Sequence, residues 1–182
     1  SGKLVKIVQV MLAKGFGGAE RSFVDITNEL SARGHEVTAI VEARSKAKLL
    51  LTCSTIHAIK VRSHWDPIAR YQVGQVLKKE QPNLLHAHLA RAAKIAGAAA
   101  SKLGIPSLVK THNYVNLKYY HDVDCLVPTT HDQENYLLRS GIAKDKIHRI
   151  PNFTALPLLD EMPRSNTLRT EVRPHLVAIG RL

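Results

Sequence analysis

The chain has 182 residues, 45% apolar and 23% charged, which permits a sizeable buried core and excludes wholesale disorder. Its 26 Lys and Arg against 15 Asp and Glu give a formal charge of +11, favouring acidic partners (phosphorylated substrates, anionic lipid headgroups or nucleic acid) without choosing among them. Two cysteines, Cys53 and Cys125, lack metal-ligand spacing, and no apolar run approaches the roughly 18 residues of a spanning helix, so the expected setting is a reducing cytoplasm, in solution or on a membrane surface.

Lys6 to Leu12 is an apolar run with the character of a buried strand. It meets the glycine loop Ala13-Lys-Gly-Phe-Gly-Gly18, and a helix opens at Ala19 with Ala19, Phe23, Ile26 and Leu30 in one stripe and Gly34 placed for a left-handed cap. The start of such a helix carries unpaired N–H groups at its positive end, a ready site for phosphate. Glu36 to Val41 is the second strand. Arg44 to Thr52 holds three basic residues and three consecutive leucines; the simplest expectation is a short helix with Leu49, Leu50 and Leu51 partly buried, and the alternative is a basic, apolar surface that touches lipid.

A third strand is expected over Ile56 to Val61. Asp66-Pro67 then caps and opens a helix whose stripe, Ala69, Val73, Val76 and Leu77, runs to about Glu80 before Pro82. Asn83 to His88 suits a buried parallel strand, Ala90 to Leu103 an alanine-rich helix stopped by Gly104, and Ser107 to Lys110 a fifth strand. An irregular stretch, Thr111 to Asp124, separates it from the short strand Cys125 to Val127. Thr130-His-Asp-Gln133 is a capping box for a helix to Ser140, and Ile147 to Ile150 reads as a further strand.

Strands alternating with helices mean parallel crossovers, hence an α/β fold: a doubly wound, Rossmann-like parallel sheet with helices on both faces. Pro157, Pro163 and Pro174 break up the chain after Pro151, and Leu176 to Ile179 with Gly180 resembles a new strand meeting a new glycine loop. The expected division is a Rossmann-like domain over 3–152, a linker over 153–175 and the first strand of a second domain over 176–182.

Ligands of doubly wound sheets bind beyond the carboxyl ends of the strands, so the residues there carry the functional information. Gly15, Gly17 and Glu20 meet only two of the three glycine positions of a dinucleotide fingerprint, which disfavours NAD. Leu85-His86-Ala87-His88 puts two imidazoles on one face of its strand, and His112 follows the next strand; no carboxylate or thiolate completes a zinc set at recognisable spacing.

In this order the motifs resemble the family 4 (group 1) glycosyltransferases of the GT-B fold. The resemblance rests on Gly17-Gly18-Ala19-Glu20-Arg21, Leu85-His86-Ala87-His88, Thr111-His112, Val127-Pro-Thr-Thr130, Lys146 to Asn152, and Ile179-Gly180-Arg181-Leu182, and spans nearly all of residues 3 to 182. Phe153 stands where the family's usual Ile-Pro-Asn-Gly run has glycine.

The resemblance implies the amino-terminal, acceptor-side domain of a retaining, metal-independent enzyme that takes a sugar from a nucleotide sugar held mainly by the carboxyl-terminal domain. It implies backbone donors to the donor diphosphate at Gly17 and Gly18, and an active-site histidine at His88 that contacts the transferred sugar. Lys14, Gly15, His112, Asn113, Thr130 and Asn152 are the expected cleft or acceptor residues, Thr130 being explicable by capping alone and Asn152 by a hinge role. The family's glutamate pair and most donor contacts fall beyond Leu182, so this chain alone is expected to show no turnover. No metal or cofactor is expected. The expected partners are a nucleotide sugar, a lipid-linked or saccharide acceptor and an anionic membrane surface, with the protein cytoplasmic or peripheral on the inner face of that membrane and engaged in lipopolysaccharide, capsule or glycolipid synthesis.

Two other classes stay open at this point. One is a GT-B-like sugar-nucleotide epimerase, which needs no acceptor. The other is a non-enzymatic basic binding module, though at 5% aromatic residues a stacking platform for nucleic acid is not expected. A phospho-acceptor signalling domain is disfavoured, because Met11 and Leu12 end the first strand where acidic residues are needed.

Overall fold

The computed structural model describes residues 4–153. Its strands are β1 (Lys6–Met11), β2 (Glu36–Glu42), β3 (Thr55–Ile59), β4 (Leu84–His88), β5 (Ser107–Lys110) and β6 (Cys125–Val127). All pair in parallel, in the order β3-β2-β1-β4-β5-β6. The helices are α1 (Gly18–Ala32), α2 (Pro67–Glu80), α3 (Leu89–Ala92), α4 (Ala98–Leu103) and α5 (His131–Arg139). This is the expected doubly wound sheet, with order reversing between β1 and β4.

Strand periodicity sorts the core into two layers. Val8, Val10, Leu85, Ala87 and Val109 face one side, against Val73 and Leu77 of α2 and the small residues Ala92, Ala96 and Ala100. Met11, Val37, Ala39 and Val41 face the other, against Phe23 and Val24 of α1. Helix α2 starts where the Asp66 carboxylate accepts from the N–H groups of Ile68 (3.0 Å), Ala69 (3.1 Å) and Arg62 (2.9 Å), bonds that hold its pKa below the usual range.

Three local expectations need correction. Ile147 to Ile150 is not a strand: Ile147 makes a single parallel bridge to Leu126, and the segment follows the sheet only through His148 N–H to Leu126 O and Ile150 N–H to Pro128 O. The neighbouring strand is three residues long and is followed by Pro128, which has no N–H to extend a ladder. Of the leucine triplet only Leu51 is partly buried; a short 3-10 helix over Lys46–Leu49 leaves Leu49 77% exposed and Leu50 exposed as well. Finally, the alanine-rich helix is interrupted by a π-helical turn, Ala93–Gly97, between α3 and α4. The expected linker and second-domain strand fall almost wholly outside the described residues.

Gly97 explains why a glycine is placed within this helical rod. A Cβ there would lie 2.7 Å from Cγ1 of Val123 and 3.4 Å from the Asp122 carbonyl oxygen. Absence of a side chain lets the segment before β6 lie directly on the rod. Gly97→Ala is therefore expected to destabilise the fold by about 1–3 kcal/mol, read from the urea midpoint, with Val123→Ala in the same chain recovering part of the loss; an unchanged midpoint for Gly97→Ala would show that the contact relaxes freely.

Candidate active site at the sheet switch point

The sheet order reverses between β1 and β4, and their register sets Gln9 beside His86 and Met11 beside His88. All four side chains face α1. Gln9 Nε2 lies 3.1 Å from His86 Nδ1, Gln9 Oε1 lies 3.0 Å from His88 Nε2, and His88 Nδ1 lies 3.1 Å from His112 Nε2. A continuous polar chain, His86–Gln9–His88–His112, thus runs through the switch point. Gln9 and His88 are fully buried, and the edge of Phe23 from α1 closes over His88 with ring centroids 5.2 Å apart. His112, partly exposed, is the end of the chain that reaches solvent beyond the carboxyl ends of the strands.

The backbone at these strand ends is unusual. Leu89, directly after β4, and His112, two residues after β5, have φ of +67° and +63°, a left-handed conformation that side chains other than glycine adopt rarely. Helix α5 braces His112: Gln133 Nε2 donates to the His112 carbonyl at 3.3 Å while its Oε1 accepts from Thr129 N–H at 2.9 Å.

Burial dominates the electrostatics. It pushes His86 down to about 3 and His112 to about 4, with the Lys110 charge as the next cause in each case. His88 also falls well below its ordinary value, first by burial and then by the neighbouring imidazoles and Lys110. All three rings are neutral at physiological pH. Lys110 ends β5 beside His88, and burial lowers its pKa; its Nζ donates to the Ile150 carbonyl at 3.2 Å.

The glycine loop is in place, but one of its donors is occupied. Gly17 N–H donates to Glu20 Oε2 at 2.8 Å, so a buried carboxylate from the first turn of α1 closes back over the helix start. Gly18 begins the helix, where N–H groups have no intrahelical partner. Asn152 Oδ1 accepts from Ser22 Oγ at 3.3 Å, fastening the segment after α5 to the opening turns of α1. Thr130 caps α5 by accepting from Gln133 N–H at 3.2 Å, while Lys14, Gly15 and Asn113 stand exposed on the rim.

The structure therefore joins His88 to His112 directly and Asn152 to α1. It gives Thr130 a capping bond. Sequence reasoning passed over Gln9, Lys110, Glu20 and Gln133. Gln9 was detectable as the one amide inside the apolar run Lys6–Met11, and Lys110 as a charge ending a buried strand, but their partners depend on the register between strands. Among the described residues no group of three His, Cys, Asp or Glu side chains is arranged to hold a metal ion, and no helix is long and apolar enough to cross a membrane.

A Rossmann-like parallel domain with a glycine loop, a helix N-terminus and a histidine chain at its switch point has the layout of a ligand-binding α/β domain. The sequence profile of Glycosyltransferase Family 4 matches residues 16–156, and the chain belongs to that family. It is 33% identical over 141 residues to the lipopolysaccharide core biosynthesis glycosyltransferase LpsD of Rhizobium meliloti, a match covering 76% of this chain and 40% of LpsD. Among solved structures, the UDP-GlcNAc 2-epimerase of Methanocaldococcus jannaschii superposes with a TM-score of 0.64 at 19% identity, covering 80% of this chain and 45% of that one. MurG of Acinetobacter baumannii gives 0.64 at 19% identity, covering 82% and 46%. Anabaena Alr3699/HepE in complex with UDP gives 0.66 at 16%, covering 81% and 44%. These likenesses establish the fold. The chain spans less than half the length of each of these proteins.

The depressed histidines make stability depend on pH with a definite sign. The unfolded chain takes up protons on these side chains as pH falls below about 6.5, whereas folded His112 and His86 wait until about 4 and about 3. Their contribution is complete above pH 6.5 and is lost on descending to those values, at up to about 1.4 kcal/mol per pH unit for each group. Urea unfolding at pH 7, 6, 5 and 4.5 is expected to show this decline, with a shallower slope in His112→Gln; equal slopes would mean that His112 titrates normally.

Proposed function

We propose that the protein is a retaining glycosyltransferase that moves a sugar from a nucleotide sugar to a saccharide or lipid-linked acceptor in lipopolysaccharide, capsule or glycolipid synthesis, and that this chain is its acceptor-side domain, inactive alone. The observation that carries the reading is the neutral histidine chain at the switch point of a family 4 domain, beside a helix N-terminus. The similarity to LpsD supports the lipopolysaccharide setting. Nucleotide sugars as partners are supported by fold relatives described in complex with UDP-GlcNAc and UDP.

In this reading the donor diphosphate lies across the cleft from Gly17 and Gly18. Negative charge grows on that leaving group in the transition state, and preorganised N–H donors stabilise it there more than in the ground state. His88 acts at the reacting centre through its shared hydrogen bond with His112, and no metal is required.

The test uses the enzyme with both domains present, given a nucleotide sugar with and without acceptor. Transfer only with acceptor is expected, and His88→Ala is expected to lower kcat/KM by roughly 10²-fold or more. A change under threefold would make His88 a packing residue. Donor epimerised without acceptor would replace transfer by the epimerase reading.

An anionic membrane is the proposed surface at which a lipid-linked acceptor is met, with the protein on its cytoplasmic face. Support comes from the segments that follow β2 and β3, neighbouring parallel strands of which β3 is the sheet edge. Leu49 and Leu50 are exposed with the cations Arg44 and Lys46 after β2, and Trp65, Ile68 and Tyr71 are exposed with Lys60, Arg62 and Arg70 after β3. The exposure of Leu49 and Leu50 thus favours the lipid-touching alternative. Each cation near an anionic bilayer contributes about 1 kcal/mol. The chain is expected to sediment with phosphatidylglycerol-containing vesicles at low salt and to be released at high salt, with Arg62→Glu/Arg70→Glu weakening binding at least tenfold; equal binding to neutral vesicles would overturn the proposal.

A further inference from the structure

The three contacts of the histidine chain define a line of hydrogen bonds but not its direction. Each neutral imidazole has one N–H and one bare nitrogen, and an amide offers one oxygen and one NH2 group. Two arrangements satisfy every contact among His86, Gln9, His88 and His112. In the first, Gln9 donates to His86 and accepts from His88, His88 accepts from His112, and the His112 Nδ1 facing away from the chain is bare. In the second, the amide is turned end for end and every donor reverses: His86 Nδ1–H donates to Gln9, Gln9 donates to His88, His88 Nδ1–H donates to His112, and His112 Nδ1 carries the proton.

His86 distinguishes the two. Its Nε2 is buried and has no hydrogen-bond partner among the described residues. The first arrangement puts the proton on that atom and strands a donor in the interior, whereas the second leaves it bare. Buried N–H groups left without an acceptor are rarer in folded proteins than under-satisfied acceptors.

We propose that the orphaned nitrogen of His86 fixes the orientation of the Gln9 amide, and that Gln9, as a positioning residue, thereby sets His88 and His112 in their Nδ1–H tautomers, so that His112 presents a hydrogen-bond donor to the crevice. The partner it suits is an acceptor oxygen, either of a phosphate or of a sugar hydroxyl. His112 in this tautomer cannot take a proton at Nδ1 and so is not the general base of the resting site. That last role rests on the transferase reading, but the direction of the chain does not.

The test is long-range proton–nitrogen NMR of the 182-residue chain with 15N-labelled histidine, at pH 7 and without ligand. His88 and His112 are both expected as Nδ1–H tautomers; finding both as Nε2–H overturns the direction. Gln9→Leu, with its amide spectrum showing a retained fold, is expected to shift His88 or His112 toward the other tautomer, and unchanged tautomers at both would remove Gln9 from the assignment. Should Gln9→Leu not fold, the unsubstituted chain still decides the direction. Because no sugar transfer is measured, failure here is separable from failure of the transferase reading. Adding inorganic diphosphate and then free glucose distinguishes the source of the oxygen: a shift of the His112 nitrogens with diphosphate assigns phosphate, one with glucose alone assigns a hydroxyl, and a conversion of His112 to the bare Nδ1 form with either overturns the donor role.

Discussion

The site depends on one amide that cannot be left unpaired. Gln9 is fully buried in the central strand of the sheet, and burying such a group without partners costs about 1–3 kcal/mol. Its partners are the two histidines that register sets along the neighbouring strand, and each of them is itself a polar group requiring a second contact. His88 finds that contact in His112. The polar chain thus runs from the unpartnered Nε2 of His86 in the interior, through Gln9 and His88, to the partly exposed ring of His112.

This arrangement also reconciles a rigid interior with a functional surface. His88 is out of contact with solvent in the described structure, closed over by Phe23. The group that meets the crevice is His112, which takes a left-handed backbone conformation to do so and is braced through its carbonyl by Gln133. A strained backbone of this kind persists where surrounding bonds over-determine it. The bonds that do so here come from β4 on one side and α5 on the other.

The order of strands and helices was legible because periodicity and capping residues are local. The stripe in α1, the Asp66 cap and the glycine after Arg33 each act within a few residues of chain. What was illegible depended on register or on tertiary approach. Gln9 could be seen as out of place in an apolar strand, yet nothing local pairs it with His86 or His88. Gly97 looked like one more small residue in an alanine-rich helix until Val123 was seen above it. The leucine triplet looked like core, because hydrophobicity alone does not say which side of a short helix the domain leaves uncovered. The site residues divide in the same way: His88 and His112 announce themselves at strand ends, whereas Lys110 and Gln133 matter for what they touch.

The start of α1 imposes a condition on any anion that binds there. A helix N-terminus attracts negative charge, and this one already holds a carboxylate of its own, from Glu20, on the Gly17 N–H. A diphosphate that takes that N–H must displace Glu20, since two anions in one buried corner repel and one backbone donor cannot serve both fully. That carboxylate lies in the same opening turns of the helix as Ser22, whose hydroxyl donates to Asn152 Oδ1. The Glu20 carboxylate on the helix start and the Ser22 contact to Asn152 thus share one short stretch of helix.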